Sequence, residues 1–192
     1  MTEQKNIGAK IKKIRQAQKL SLQDLAERTM MTVSQIRKLE DKRIIPSLSP
    51  LIKIARALGV RLGTLLDDIE QQGPVVVRSG GRQEGVRFIS NESEVREHLN
   101  FYSLAADKSG RAMEPFIVEI EPSRQSDYRL SSHEGEEFIY VLEGQVEINY
   151  GKELILLGKG DSVYLDSIVV HNVHAGNRQP ARILAVFYTP YD

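Results

Sequence analysis

His133, Glu137 and His171 are the residues whose types and spacing could hold a metal ion. His133 precedes Glu137 by four positions. In a straight strand that separation spans ~13 Å, too far for one ion. A turn at Glu134-Gly135 would fold the two side chains together, and Gly135 permits such a turn. Glu137 then opens the run Phe138–Ile148, where alternation puts Glu137, Ile139 and Val141 on one face. His171 lies far along the chain and could close the site from across a barrel. Two imidazoles and one carboxylate with open positions form the ligand type of non-haem iron sites, and they also suit Mn, Ni or Zn. The same groups could instead line a metal-free pocket for an organic effector, or be satisfied structural side chains. Tyr102, Arg129 and Tyr164 stand near strand-like segments as further pocket candidates. His174, three residues after His171, is expected on the opposite strand face and at the surface, and His98 fits no such pattern. Cysteine is absent, which excludes disulfides, thiolate metal sites and Cys nucleophiles.

A second chemistry is written in the charge. The net charge is zero, yet residues 1–66 carry 14 basic and 5 acidic side chains, and residues 67–192 carry 12 basic and 21 acidic. A +9 segment joined to a −9 segment points to two domains with different partners, the basic one suited to a polyanion. Within the basic part, the gap Thr29-Met30-Met31 between two short helical patterns suits a helix-turn-helix. With Ile36 and Leu39 in the core and Val33 partly so, Thr32, Ser34, Gln35, Arg37 and Lys38 are left for the outside. Hydroxyls and amides can meet phosphates or bases, and Arg or Lys can read guanine. Lys42 and Arg43 just beyond would reach phosphates, with salt-dependent affinity. Thr32, Val33, Ser34, Gln35, Arg37, Lys38, Lys42 and Arg43 are thus the expected DNA-facing set.

The elements that must position these groups change character near Leu66. Up to that point apolar residues recur at helical spacing, as in Ile7, Ile11 and Ile14. Ser21-Leu22-Gln23-Asp24 reads as a capping box, and Thr32-Val33-Ser34-Gln35 repeats it. Ser49-Pro50 reads as an N-cap followed by Pro at the first helical position, with Gly59 closing that helix. A last short helix covers Leu62 to Leu66, which makes five in all. Residues 69–87 lose periodicity and read as a linker, with one short apolar strip, Val75–Val77, that could form a strand. Short β-like runs follow: Phe116–Ile120, Phe138–Ile148, Leu154–Leu157, Ser162–Leu165 and Ile183–Tyr188, separated by turn signals such as Glu143-Gly144 and Gly176-Asn177. The expected fold class is α+β in two domains: an all-α five-helix unit at 1–68 and, at 88–192, an all-β unit of the sandwich, jelly-roll or barrel kind. No apolar run approaches ~20 residues, no secretory leader is visible, and a cytoplasmic chain without membrane partners is expected.

Ser21–Leu66 resembles the lambda-repressor-like, XRE-type helix-turn-helix family. The resemblance rests on Ser21–Arg28, Ile36…Leu39-Glu40, Pro46-Ser47-Leu48 and Leu51–Val60. Met30 stands where the family's turn has Gly, and Asp41-Lys42 where its loop has Asn-Gly. Residues 112–189 resemble the cupin superfamily. The first cupin motif is carried by Ser131-Ser132-His133-Glu134-Gly135-Glu136-Glu137 with Gly144, and the second by Gly160-Asp161 and His171. Ser131 stands where the family's first His would be, so the implied ligand set is His133, Glu137 and His171, with Ser131 beside it. Together the resemblances imply a ligand-responsive transcription regulator. A homodimer or higher oligomer would bind a double-stranded operator, and the cupin barrel would sense a small-molecule effector, with or without one divalent metal. The alternative is an enzyme: the architecture also resembles hydroxypropylphosphonate epoxidase, a mononuclear non-haem iron oxidase family. In that reading Tyr102 and Lys19 would orient an anionic substrate.

Overall fold

The computed structural model describes residues 7–41, 48–66, 74–79, 99–108, 110–122 and 130–190. Five helices come first: α1 (Ile7–Ala17), α2 (Leu22–Thr29), α3 (Val33–Glu40), α4 (Leu48–Ala57) and α5 (Leu62–Leu66). None is long enough to be stable alone in water, so each depends on burying one stripe against the others. Ile7, Ile11, Leu25, Ile36, Leu51, Ile54, Leu58 and Leu65 form that shared core. The α1 stripe turns slightly from the expected one: Ile14 is only half-buried, and Arg15 takes the next inward position. There its guanidinium grips Glu40 at the end of α3 through two bonds of 2.6 and 2.8 Å and also donates to the Leu20 carbonyl at 2.8 Å. At the other end of α1 the backbones approach so closely that a Cβ on Gly8 would sit 2.6 Å from the Leu39 carbonyl oxygen.

The helix ends follow from their capping chemistry. Ser21 and Asp24 form a reciprocal capping box at α2, with bonds of 2.7 and 3.0 Å. Thr32 and Gln35 do the same at α3. Met30 closes α2 in the left-handed region at φ 55°, the position where glycine relieves the Cβ clash. Helix α4 starts at Leu48 rather than after Ser49. Pro50 still falls in its first turn, where the missing N–H would have had no helical partner.

Among the described residues after α5, eight strands follow, with one 3-10 turn at Gly176–Arg178: β1 (Leu99–Ser103), β2 (Met113–Ile120), β3 (Glu136–Glu143), β4 (Gln145–Tyr150), β5 (Glu153–Gly158), β6 (Ser162–Asp166), β7 (His171–Ala175) and β8 (Ala181–Tyr188). A five-stranded sheet runs β1-β2-β8-β3-β6, and a three-stranded sheet runs β5-β4-β7. All neighbours are antiparallel. The run Phe138–Ile148 divides at Gly144, and its two halves enter different sheets. Phe101, Phe116 and Phe187 meet edge-on or tilted inside, with centroids 5.7–6.4 Å apart, beside Ile139, Val141, Ile183, Val146 and Ile148. Strand β1 was not foreseen, because an edge strand half-exposed on both faces lacks a clean alternation. Val75–Val77 belongs to no strand, and Val76 is exposed. The rest of the expected linker lies mostly outside the described residues. The fold is therefore α+β, a helical unit followed by a β unit.

Met30 is 89% exposed and contributes little packing, so its left-handed backbone is a cost without a local return. Met30→Gly is expected to raise stability by up to ~1 kcal/mol, read as an increased midpoint in denaturant; a fall would contradict this account of the turn.

Candidate functional site

The jelly roll brings three distant residues together. Glu137 is the second residue of β3, on the inner face of the larger sheet. His171 opens β7 in the smaller sheet. His133 lies just before β3, on a turn that reverses at Gly135. Gly135 sits at φ +109°, and a Cβ there would come within 2.0 Å of the Tyr188 carbonyl oxygen, so only glycine fits. That reversal brings His133 Nε2 to 2.8 Å from Glu137 Oε1, while His171 Nε2 approaches the same oxygen at 3.1 Å. All three side chains are buried. Among the described residues they form the one group of His, Asp and Glu whose ligand atoms lie within 4.8 Å of each other.

The outer contacts fix which ring nitrogens face the centre. His133 Nδ1 contacts the Glu134 carbonyl at 3.2 Å, and His171 Nδ1 contacts the Val169 carbonyl at 2.7 Å. A carbonyl only accepts, so each Nδ1 carries a proton and each Nε2 is turned inward. Such carbonyl contacts orient the imidazoles of metal sites. Ser167, fully buried, donates its Oγ to Glu137 Oε1 at 3.0 Å. Its backbone ties the turn as well: His133 N donates to Ser167 O at 3.0 Å, and Ser167 N donates to Gly135 O at 2.9 Å. Two inward imidazole nitrogens and a carboxylate oxygen, already gathered at hydrogen-bond range, fit a divalent transition-metal ion.

Burial by itself would push the Glu137 carboxyl up. The hydrogen bonds and positive character of His133 and His171 overcome this and hold it at about 2. Burial would likewise lower His171, but its bond and charge attraction to Glu137 leave it raised above 6.5. A metal must displace that proton, so ion and proton compete for the same nitrogen.

The expected pocket residues separate. Ser131 pairs directly with His171: Ser131 N donates to His171 O at 2.8 Å, and His171 N donates to Ser131 O at 2.9 Å. Directly opposed residues share a face, and the Ser131 hydroxyl lies 3.4 Å from the His171 carbonyl oxygen. Tyr102 and Tyr164 do not join them. Tyr102 pairs with Ile117 on the outer face of the larger sheet, and its hydroxyl donates to Glu119 at 3.0 Å. Tyr164 is 62% exposed, with its hydroxyl on Glu136 at 2.7 Å. Both are one residue out of phase with the inward set, a parity that strand register decides. Arg129 lies outside the described residues. His174 does lie on the face opposite His171, but it is buried rather than at the surface, held by Asn172 and Glu147 at 3.1 Å each. The sequence reading also missed Ser167, whose sole signal is a small polar residue four before His171. It missed Arg111 and Glu114 too, a buried pair at 2.7 Å. Glu114 shares the inner face with Phe187 and Glu137.

On the helical side, Ile36 and Leu39 are buried while Thr32, Ser34, Arg37 and Lys38 are exposed. Val33 and Gln35 are half-buried, and Gln35 spends its side-chain oxygen on the Thr32 backbone N–H at 2.8 Å. The outer surface of α3 thus presents the Ser34 hydroxyl and two cations, with the Thr32 hydroxyl engaged by Gln35 at its N-cap. Lys42 and Arg43 lie outside the described residues.

Comparison with known proteins agrees with this division. Residues 11–65 match the helix-turn-helix family, and residues 116–187 match the cupin domain family. The chain is 24% identical over 187 residues to the HTH-type transcriptional regulator PuuR of Escherichia coli (strain K12), covering 95% of this chain and 94% of that one. It is 26% identical over 154 residues to the (S)-2-hydroxypropylphosphonic acid epoxidase of Streptomyces wedmorensis, covering 73% of each. A solved HTH_3 family transcriptional regulator from Vibrio cholerae superposes with a TM-score of 0.67 at 20% identity, over 97% of both chains. The chain thus joins a helix-turn-helix domain to a cupin domain.

The raised His171 gives opposite pH trends with and without metal. A raised histidine adds stability that is fully present below 6.5 and lost as pH climbs through its folded value, whereas the lowered Glu137 adds stability present above 4.5 and lost toward about 2. The metal-free protein is therefore expected to lose melting temperature as pH rises past 6.5. Zn(II) affinity, by competition with a chelator, is expected to rise over the same range, by up to roughly tenfold per pH unit for each proton displaced. Affinity flat with pH would contradict the competition.

Proposed function

We propose that this chain is a ligand-responsive transcription regulator that binds operator DNA through α3 and senses a small molecule in its cupin barrel. The observation that carries this is the outer face of α3: its apolar residues are spent on the core, and Thr32, Ser34, Arg37 and Lys38 face solvent on a helix whose N-terminus is capped and whose C-terminal end is fixed by Arg15–Glu40. In a helix-turn-helix the N-terminal residues of this helix meet base edges in the major groove, and a symmetric dimer reads two half-sites about 34 Å apart. Thr32 and Ser34 suit phosphates or bases, Arg37 and Lys38 suit guanine edges or phosphates, and Lys42 and Arg43 would extend the phosphate contacts. The excess of 14 basic over 5 acidic side chains in residues 1–66 supports the same partner. Whole-length similarity to a transcriptional regulator supports this reading.

In the barrel, His133, Glu137 and His171 would hold one divalent ion of the iron, manganese, nickel or zinc type. Such an ion supplies a Lewis-acidic point onto which an oxygen-bearing effector can dock. Ser131, beside His171, offers a hydroxyl to that effector. Ser167 holds the Glu137 carboxylate in place. The effector regulates to the extent that it binds one arrangement of the two domains better than another.

The same donor set favours a second reading, a non-haem iron oxidase acting on an anionic substrate. Lys19, which would assist there, is exposed in a left-handed turn after α1, and Tyr102 lies on the outside of the sheet. Dioxygen consumption by Fe(II)-loaded protein with hydroxyalkylphosphonates decides this alternative.

Fluorescence-anisotropy titration against fragments of the source genome at two salt concentrations tests the regulator. Sequence-selective binding that weakens with salt is expected. Arg37→Ala is expected to cost about 1–3 kcal/mol, or about 5- to 150-fold in Kd, on the selected site. Equal affinity for all fragments at low salt would overturn the reading.

A further inference from the structure

The turn that carries His133 also touches the helical domain. Glu134, between the ligand His133 and the obligatory Gly135, points its carboxylate away from the site into an ion pair with Arg56 of α4. Both side chains are about half-exposed, 45% for Arg56 and 49% for Glu134. Thr189 and Pro190, which continue β8, face Ile52, Ala55, Arg56 and Val60 across a shallow crevice. The two contacts are one structure, because Gly135 rests against Tyr188 and Thr189.

Glu134 reaches the metal site through its own peptide. Its carbonyl is the partner of His133 Nδ1, so the peptide that carries the Arg56-binding side chain also sets the rotation of a ligand ring. Gly135 is seated against Tyr188 and Thr189, and its carbonyl accepts from the backbone N–H of Ser167, whose hydroxyl reaches Glu137. A shift of His133 or Glu137 on taking up an ion is therefore passed to Glu134 rather than absorbed by a loose loop. Among the described residues, Gly110 also lies close to Arg61 of the helical domain.

From this geometry we infer that cation occupancy at His133, Glu137 and His171 is coupled to the placement of the helix-turn-helix domain through the Glu134–Arg56 pair. The inference rests on the proposed function for its consequence, altered DNA affinity, but the coupling itself is a property of the chain. Neither residue is a metal ligand. Both are positioning residues, one on each side of the domain boundary.

The test uses the full chain, Co(II) as the metal probe because its visible absorption reports occupancy, and a labelled duplex carrying the selected site. In the unaltered chain, Co(II) is expected to change duplex Kd by about 5- to 150-fold. Glu134→Ala keeps the backbone carbonyl and removes the ion pair. It is expected to bring that ratio to within about twofold of one while Co(II) still binds. Arg56→Ala should do the same, and the exchange Arg56→Glu with Glu134→Arg should restore the ratio. Amide hydrogen exchange supplies a readout that needs no DNA: Co(II) should change protection across Lys53–Leu58 in the unaltered chain and leave it unchanged in Glu134→Ala. If the duplex is not bound but the α4 effect appears, the regulator reading fails and the coupling stands. Were Co(II) to leave both the Kd and α4 protection unaffected, or to act equally in Glu134→Ala, the coupling would be wrong even with DNA binding intact. Failure of Co(II) to bind would overturn the coupling too.

Discussion

The ionised carboxylate of Glu137 sits in the interior of the β unit, and most of the site is the answer to its burial. Moving such a charge out of water costs several kcal/mol unless partners replace the lost hydration. Glu137 receives His133, His171 and Ser167 from three separate segments. Each partner in turn requires its own support. His133 needs the reversal at Gly135, His171 needs the Val169 carbonyl, and Ser167 needs the turn between β6 and β7. The two sheets are thus joined at this point by polar bonds as well as by the aromatic and aliphatic core behind it. An arrangement that must satisfy a buried anion with two inward imidazoles is nearly the arrangement a divalent cation needs, so the same geometry would suit both.

The helical unit solves a related problem with a different outcome. Arg15 and Glu40 are buried against each other, and the pair fixes the end of α3 to α1. Removing one partner of such a pair leaves a buried charge uncompensated. Together with the close approach at Gly8, this anchors the inner face of α3 and leaves its outer face to solvent. The groups that can do chemistry on this side are those the core does not consume, whereas in the barrel they are the core's own polar minority.

Much of this was legible in the residues. The capping boxes at Ser21 and Thr32 mark two helix starts, because their chemistry is local. The period of α3 separates Ile36 and Leu39 from Arg37 and Lys38 without any tertiary information. The need for a turn between His133 and Glu137 follows from strand rise, and Gly135 supplies it. What was not legible depends on partners far apart in sequence. Tyr102 and Tyr164 fall on the outer face because register fixes the parity of every strand residue, and near-strand position alone does not reveal it. His174 was placed on the correct face, yet it is buried, since Asn172 and Glu147 enclose it. Ser167, Arg15 and the Arg56–Glu134 contact carry no periodic or motif signal. Their roles exist only once distant segments meet.

A DNA-reading helix and a cation-holding barrel are proposed to work in one molecule. Native mass spectrometry of the full chain with Zn(II) and a duplex bearing the selected site addresses this most directly. The account predicts a complex of two chains on one duplex with one ion per chain, and loss of those ions in Glu137→Ala. Ions retained in Glu137→Ala, or chains that carry the ion yet never appear on the duplex, would contradict it.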